Sequence, residues 1–229
     1  MAAENGATTK WFLVSGGSGG IGAAICAGLC DAGYKALVGY NRNRSAAEAV
    51  AQQCGGVCLQ LDLSDPASIE AAVQNMAALP QLAGVVLAAS PPLSPGPFSK
   101  ITAEQMREQW QVNVMGPQLL LSGLVKGCFR KHKSGSVVGI LSQAMGDERT
   151  AAASGLGAYV VAKHGMAGLL ALLAADYPWL HVRSIRPGYT ETSMLQAFDP
   201  RFLELQRAKS PFKTPAEVAS QVVSEAISP

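Results

Sequence analysis

Short, continuous apolar runs recur along the chain at 11–14, 36–40, 57–61, 84–88, 137–141 and 182–185. They do not alternate with polar residues, so they read as strands covered on both faces. Longer helical stretches separate them, and this succession predicts an α/β fold, a doubly wound parallel sheet of six strands wrapped by helices. Thr102 with Gln105 three residues on has the form of a capping box, opening a helix that runs past Trp110. Pro117 on that helix lacks an amide hydrogen and opposes the carbonyl of Asn113. That predicts a kink and a free carbonyl able to hold a water. A second helix is expected over about 157–175, where Ala158, Ala162, Gly165 and Gly168 leave room for another backbone, a face suited to self-association. A proline-rich loop, 91–97, follows the fourth strand, at the carboxyl edge where such sheets bind ligands.

Composition narrows the partners. With 229 residues and 48% hydrophobic content, the chain 1–229 reads as one domain with a full core. Lys and Arg number 18 against 16 Asp and Glu, so no global field selects nucleic acid or an anionic membrane. The opening Met1-Ala-Ala-Glu-Asn-Gly6 lacks the basic flank and apolar centre of a signal peptide, and no charge-free apolar stretch reaches the length a bilayer needs. A cytoplasmic protein with no membrane partner is the expectation. Five cysteines, an odd number, argue for reduced thiols. Cys26 and Cys30 are one helical turn apart, Cys54 and Cys58 flank a Gly-Gly pair, and His132, His164 and His181 are scattered. These cysteines read as small buried hydrophobes, with no metal site expected.

Two motifs carry chemistry. The turn Ser15-Gly16-Gly17-Ser18-Gly19-Gly20-Ile21-Gly22 follows the first apolar run and opens an alanine-rich helix. Glycines there let the backbone approach a pyrophosphate, while the helix presents free amides and the positive end of its dipole. Far downstream stands Tyr159-Val-Val-Ala-Lys163, a phenol and an amine one helical turn apart. Asn113 and Ser142 fall between the motifs and Pro187-Gly188 after them. In this order the chain resembles the short-chain dehydrogenase/reductase family, over about residues 10 to 219, with its glycine pattern and its Y-x-x-x-K pattern.

The resemblance implies a Rossmann-type sheet of order 3-2-1-4-5-6 and a nicotinamide nucleotide. Gly16, Gly20 and Gly22 take the three glycine positions, with Ser18 and Ile21 between them and Ser15 in place of the usual Thr. Asp62 and Leu63 match the position that bonds adenine, and Ala89 is expected beside the cofactor. Pro187, Gly188, Thr190 and Thr192 match the segment that reaches the nicotinamide amide and the phosphates. Tyr159 is the implied proton donor, Lys163 bonds the nicotinamide ribose, Ser142 bonds the substrate oxygen, and Asn113 holds a relay water. A free phenol titrates near ~10, and Lys163 is placed to lower that value. His164 reads as a packing residue. At the end of the second strand, Asn41-Arg42-Asn43-Arg44 has no acid until Glu48. Two guanidiniums suit a 2′-phosphate, so NADPH is preferred over NADH.

The chain also departs from the family pattern. Leu87-Ala88-Ala89-Ser90 replaces the usual N-N-A-G, so packing of Leu87 must compensate, and Leu141 replaces the first of two serines. The stretch 146–154 is longer than common and should shape the substrate pocket. The chain stops at Pro229 without a seventh strand, which predicts six strands and a homodimer through the two central helices. The 210–217 segment resembles reductases of 3-oxoacyl chains on acyl carrier protein. Lys126, Arg130, Lys131 and Lys133 would suit an acidic carrier or merely complement the helix dipole. The expected function is an NADPH-dependent carbonyl reductase of a small-molecule ketone, with 3-oxoacyl thioesters of carrier protein or CoA among the candidates. The rivals are an NAD-dependent alcohol or sugar dehydrogenase and an NADPH-sensing scaffold without turnover.

Overall fold

Six parallel strands, β1 (Trp11–Ser15), β2 (Lys35–Tyr40), β3 (Val57–Gln60), β4 (Leu82–Leu87), β5 (Ser136–Ile140) and β6 (His181–Ile185), pair in the order β3-β2-β1-β4-β5-β6. Each begins and ends within two residues of an apolar run read from the sequence. This computed structural model describes residues 9–228; residues 1–6, read above for a signal peptide, lie outside them. Burial on both faces holds for β1, β2, β4 and β5. The edges differ: Val57 on β3 and Arg183 and Ser184 on β6 are exposed, because no further strand covers them.

The helices are α1 (Gly20–Asp31), α2 (Arg44–Cys54), α3 (Pro66–Ala77), α4 (Ala103–Trp110), α5 (Gly116–Leu124), α6 (Arg130–His132), α7 (Gly157–Asp176), α8 (Pro200–Lys209) and α9 (Pro215–Ile227). On one face of the sheet, alternate side chains Leu13, Val85, Leu87 and Val137 meet α3, α5 and α7 through Ile69, Leu120, Leu124 and Met166. On the other, Phe12, Val14, Val38 and Val138 meet α1, α2 and α9 through Ile25, Leu29, Ala47 and Val222. Each fully buried Leu, Ile or Phe contributes roughly 1.5–3 kcal/mol. Leu87 is among them, 1% exposed, so packing does replace the polar residue expected there.

The helix holding Asn113 differs from expectation. Its capping box is present, with Thr102 Oγ1 accepting from the Gln105 amide and Gln105 Oε1 from the Thr102 amide. At the expected kink, α4 runs into a π turn (Gln111–Met115), in which the Gly116 amide donates to Gln111 O, and continues as α5. A wider turn ahead of Pro117 absorbs the missing donor without breaking the helix. Gly116 is required here, since a Cβ would land on the Leu63 carbonyl.

α7 is long and apolar enough to cross a membrane by length and composition, yet Val160, Met166, Leu170 and Leu173 bury its inner face in the core. Its small residues also serve the chain itself. Ala162 is buried, and a Cβ on Gly165 would stand 2.8 Å from Trp110 and Val114. Of the cysteines only Cys26 is fully buried. Burial pushes its thiol well above the ordinary range and that of Cys30 up to about 11, which suits inert packing residues.

α9 covers α1 near the other end of the described chain. Thr214 and Glu217 form its capping box, Pro215 occupies its first turn, and Val218 and Val222 are buried against α1. Gly28 makes room for Val223 at this contact.

Candidate active site

The glycine turn forms the floor of a cleft of about 1030 Å³ along the carboxyl ends of β1, β2 and β4. Gly16 has φ of +66°, and a Cβ there would meet Ala89 Cα at 2.8 Å. A Cβ on Gly22 would overlap the Gly16 carbonyl. A side chain at either position would therefore fill the cradle or break it. The first-turn amides of α1, from Gly20 to Gly22, have no helical acceptor, the arrangement that suits an anion at a helix N-terminus. Ser15 braces the turn: its Oγ accepts from the Ala88 and Ala89 amides at 3.1 and 3.3 Å, tying the turn to the end of β4.

The cleft is also lined by Ser18, Ile21, Asn41, Arg42, Asn43, Asp62, Leu63, Ala89 and Thr192, so these expected nucleotide residues share one wall. Arg44, also expected at the nucleotide, opens α2 and is not on the cleft lining; its Nε donates to Glu48 Oε1 at 2.8 Å, the i,i+4 pairing that a helix favours. Asn43 has a second duty, capping α2 by accepting from the Ala46 amide at 3.0 Å. Asp62 Oδ1 accepts from the amide and hydroxyl of Ser64, at 2.8 and 2.6 Å. The donors fit a dinucleotide: a glycine cradle, free helix-terminal amides, and a cation at the ribose corner.

Beside the cleft, and sharing Ile21, Ala88, Ser90 and Thr192 with it, lies a smaller pocket of about 250 Å³. Ser142, Tyr159, Lys163, Pro187, Gly188 and Thr190 line it. The ladder between β5 and β6 runs on past the strands, with the Leu141 amide on Ile185 O and the Gln143 amide on Pro187 O. This fixes Ser142 beside Pro187-Gly188. Ser142 Oγ accepts from the Ala144 amide at 3.1 Å, and Thr190 Oγ1 donates to Gly188 O at 3.1 Å. His164 lies on another face of α7, with Nε2 3.2 Å from Met145 O, bracing the turn after Ser142.

The electrostatics of the pair differ from the sequence reading. Lys163 Nζ donates to Ile140 O at 2.8 Å, stands 5.5 Å from the Tyr159 ring centre, and is 2% exposed. Desolvation lowers its pKa to about 7. Tyr159 is not lowered: burial raises its phenol above the ordinary value, and the neighbouring Ser142 hydroxyl pulls the other way. Without water around it, neither group favours its charged form, so the phenol stays protonated.

Asn113 is fully buried on the π turn but does not line either cavity. Its Nδ2 donates to Gln109 O and Gln109 Oε1, at 3.0 and 3.1 Å, while Oδ1 has no partner among the described residues. Gln109, missed in the sequence, is 4% exposed and donates through Nε2 to Pro92 O at 2.9 Å. It joins the proline loop to Asn113. The spacing of four from Gln109 to Asn113 was the available signal. Ser90 was missed as well: it stands on the wall shared by both cavities, with a buried hydroxyl that has no partner among the described residues.

Comparison with known proteins agrees with this geometry. The family model for short chain dehydrogenase matches residues 10–201. A 2,5-dichloro-2,5-cyclohexadiene-1,4-diol dehydrogenase of Sphingobium indicum is 31% identical over 198 residues, 82% of this chain and 75% of the relative. An acetoacetyl-CoA reductase of Rhizobium meliloti is 33% identical over 200 residues, 83% of this chain and 78% of the relative. Among solved structures, a 3-ketoacyl-(acyl-carrier-protein) reductase from Brucella melitensis complexed with NADH superposes with a TM-score of 0.86 at 21% identity. It covers 97% of this chain and 92% of that one, a likeness of fold.

Proposed function

The chain belongs to the short-chain dehydrogenase family of NAD(P)-dependent oxidoreductases, and from that premise we propose that it is an NADPH-dependent reductase of a ketone, with Tyr159 as proton donor. The observation that carries the reading is the placement of Ser142, Tyr159 and Lys163 on one pocket that shares a wall with the glycine cleft. When bound, a reduced nicotinamide nucleotide supplies the hydride. The protein's own residues do the rest. The cleft holds the phosphates on the α1 amides, and Ser142 and Tyr159 present hydroxyls to the carbonyl oxygen. A phenol kept protonated by burial suits the donor role, because the oxygen gains a proton as it gains negative charge. Lys163 stands below the phenol, fixed by Ile140 O, within the same dry pocket.

Arg42 on the cleft wall supports NADPH over NADH, and Glu48, the nearest carboxylate after it in sequence, is held by Arg44. The names of the relatives add 3-oxoacyl thioesters, on CoA or carrier protein, to the ketones worth testing. A homodimer is supported by exposed apolar side chains on the helices thought to pair: Trp110, Met115 and Leu119 on the α4–α5 side, and Val161 and Leu172 on α7. Of the small residues on α7, Gly165 is filled by Trp110, whereas Gly168 is exposed with open space beside it. Steady oxidation of NADPH by members of a carbonyl panel, followed by absorbance, tests the reading. A protein that binds NADPH tightly and oxidises it with no ketone would overturn it.

A further inference from the structure

We propose that the pocket takes a compact, uncharged ketone and rejects anionic carbonyl compounds; this rests on the ketone-reductase reading above. The pocket, about 250 Å³, is smaller than the usual site for a drug-sized ligand, and Pro187, Gly188, Thr190 and Thr192 on its lining are residues expected at the nucleotide, which leaves a ketone less than the whole of it. Its walls are Leu93, Leu156, Tyr189, Met194, Leu195 and Phe198, and apart from Lys163 its polar groups, including Ser90, Gln143, Thr190 and Thr192, are uncharged. The outer wall is rigid. Tyr189 stacks on Phe212 with ring centres 4.9 Å apart and meets the edge of Phe198 at 6.0 Å, and Phe198 stacks on Phe202 at 5.5 Å. Backbone bonds from the Glu191 amide to Lys213 O and from the Lys213 amide to Tyr189 O pin the same wall.

A carboxylate or phosphate in this space would need a cation, and the lining offers Lys163 alone. Lys163, the charged side chain on the lining, is held by Ile140 O and titrates near neutral pH. Arg207 binds both oxygens of Glu191, at 3.0 and 3.1 Å, and lies over the Phe212 ring at 4.7 Å. An anion buried here stays unpaired, which is the expensive case.

The test compares 4-methylcyclohexanone with 4-oxocyclohexanecarboxylate, the same ring carrying a methyl or a carboxylate. Turnover is read by NADPH absorbance, and binding to the nucleotide-free protein by calorimetry. The carboxylate should be at least about 100-fold poorer in kcat/KM and in affinity, and its methyl ester should recover most of the loss. Leu93→Arg, on a partly exposed loop position, should improve the carboxylate by at least about tenfold. Equal binding of anion and neutral ring would overturn the inference while leaving the reductase reading intact. Turnover of neither, with the neutral ring still bound preferentially, would overturn the reductase reading and leave the pocket's preference standing.

Discussion

Replacing Lys163 by Met should remove a pH dependence of stability that the wild-type protein carries. In the unfolded chain this lysine titrates at its ordinary 10.5, and in the fold at about 7. Between those values the unfolded state holds a proton that the folded state lacks, so wild-type stability rises with pH across the window, by up to about 1.4 kcal/mol per pH unit. Below about pH 7 both states are protonated, and burial of the ammonium costs the fold its full penalty, on the order of 5 kcal/mol. Methionine has a similar length and no charge to bury. Its loss is the bond to Ile140 O, whose unpaired carbonyl costs roughly 1–3 kcal/mol. At neutral pH the variant should therefore be the more stable protein by a few kcal/mol, and its advantage should vanish near pH ~9. Urea melts of both proteins at about pH 7, 8 and 9 give the comparison, in which other titrating groups cancel. Parallel stability lines would refute the reasoning, because they would mean that Lys163 does not titrate inside the window.

Tyr159→Phe should lower turnover by roughly 10²–10⁴-fold while leaving NADPH affinity by fluorescence titration within about twofold, since the phenol acts on the substrate oxygen; undiminished turnover would sink the assignment. Arg42→Ala should weaken NADPH by about 10–100-fold and NADH hardly at all, whereas Arg44→Ala, which removes an exposed ion pair with Glu48, should change either affinity by less than about threefold. Equal losses at both arginines would show that the cleft wall does not distinguish them. Gln109→Leu should destabilise the fold by roughly 1–3 kcal/mol and raise KM more than it lowers kcat, because it cuts the tether from Asn113 to Pro92; an unchanged melt in urea would remove the tether from the account.

The strands were legible because continuous apolar runs have one good solution in an α/β sheet, and the end of each run marks the edge where ligands sit. The glycine turn was legible for the same local reason: Gly16 and Gly22 are needed wherever backbone must approach backbone. Direction of long side chains was not. Arg44 looks like a phosphate ligand in a linear string, and its partner Glu48 becomes visible only once 44–54 is known to be helical from its first residue. Lys163 was placed on the right helix, yet its proton affinity depends on exclusion of water by residues from β5 and the wall opposite, which no local spacing encodes. The π turn escaped because proline chemistry predicts a lost hydrogen bond but not whether the helix bends or widens to absorb it.

The contact between α9 and α1 joins the two ends of the described fold, and it has a consequence for how the site comes into being. The helix that follows the glycine turn is made early, but much of its apolar back, Ile25 and Leu29 among it, packs with Val218 and Val222, which are made late. Until then the glycine turn sits on a helix with an uncovered hydrophobic side. This long-range pairing is slow to form, so nucleotide affinity should appear late in refolding, together with the final burial of apolar surface rather than with the first sheet. A nucleotide that binds only the finished fold would in turn hold α9 in place, making the cofactor a clamp on the end of the chain farthest in sequence from its cradle.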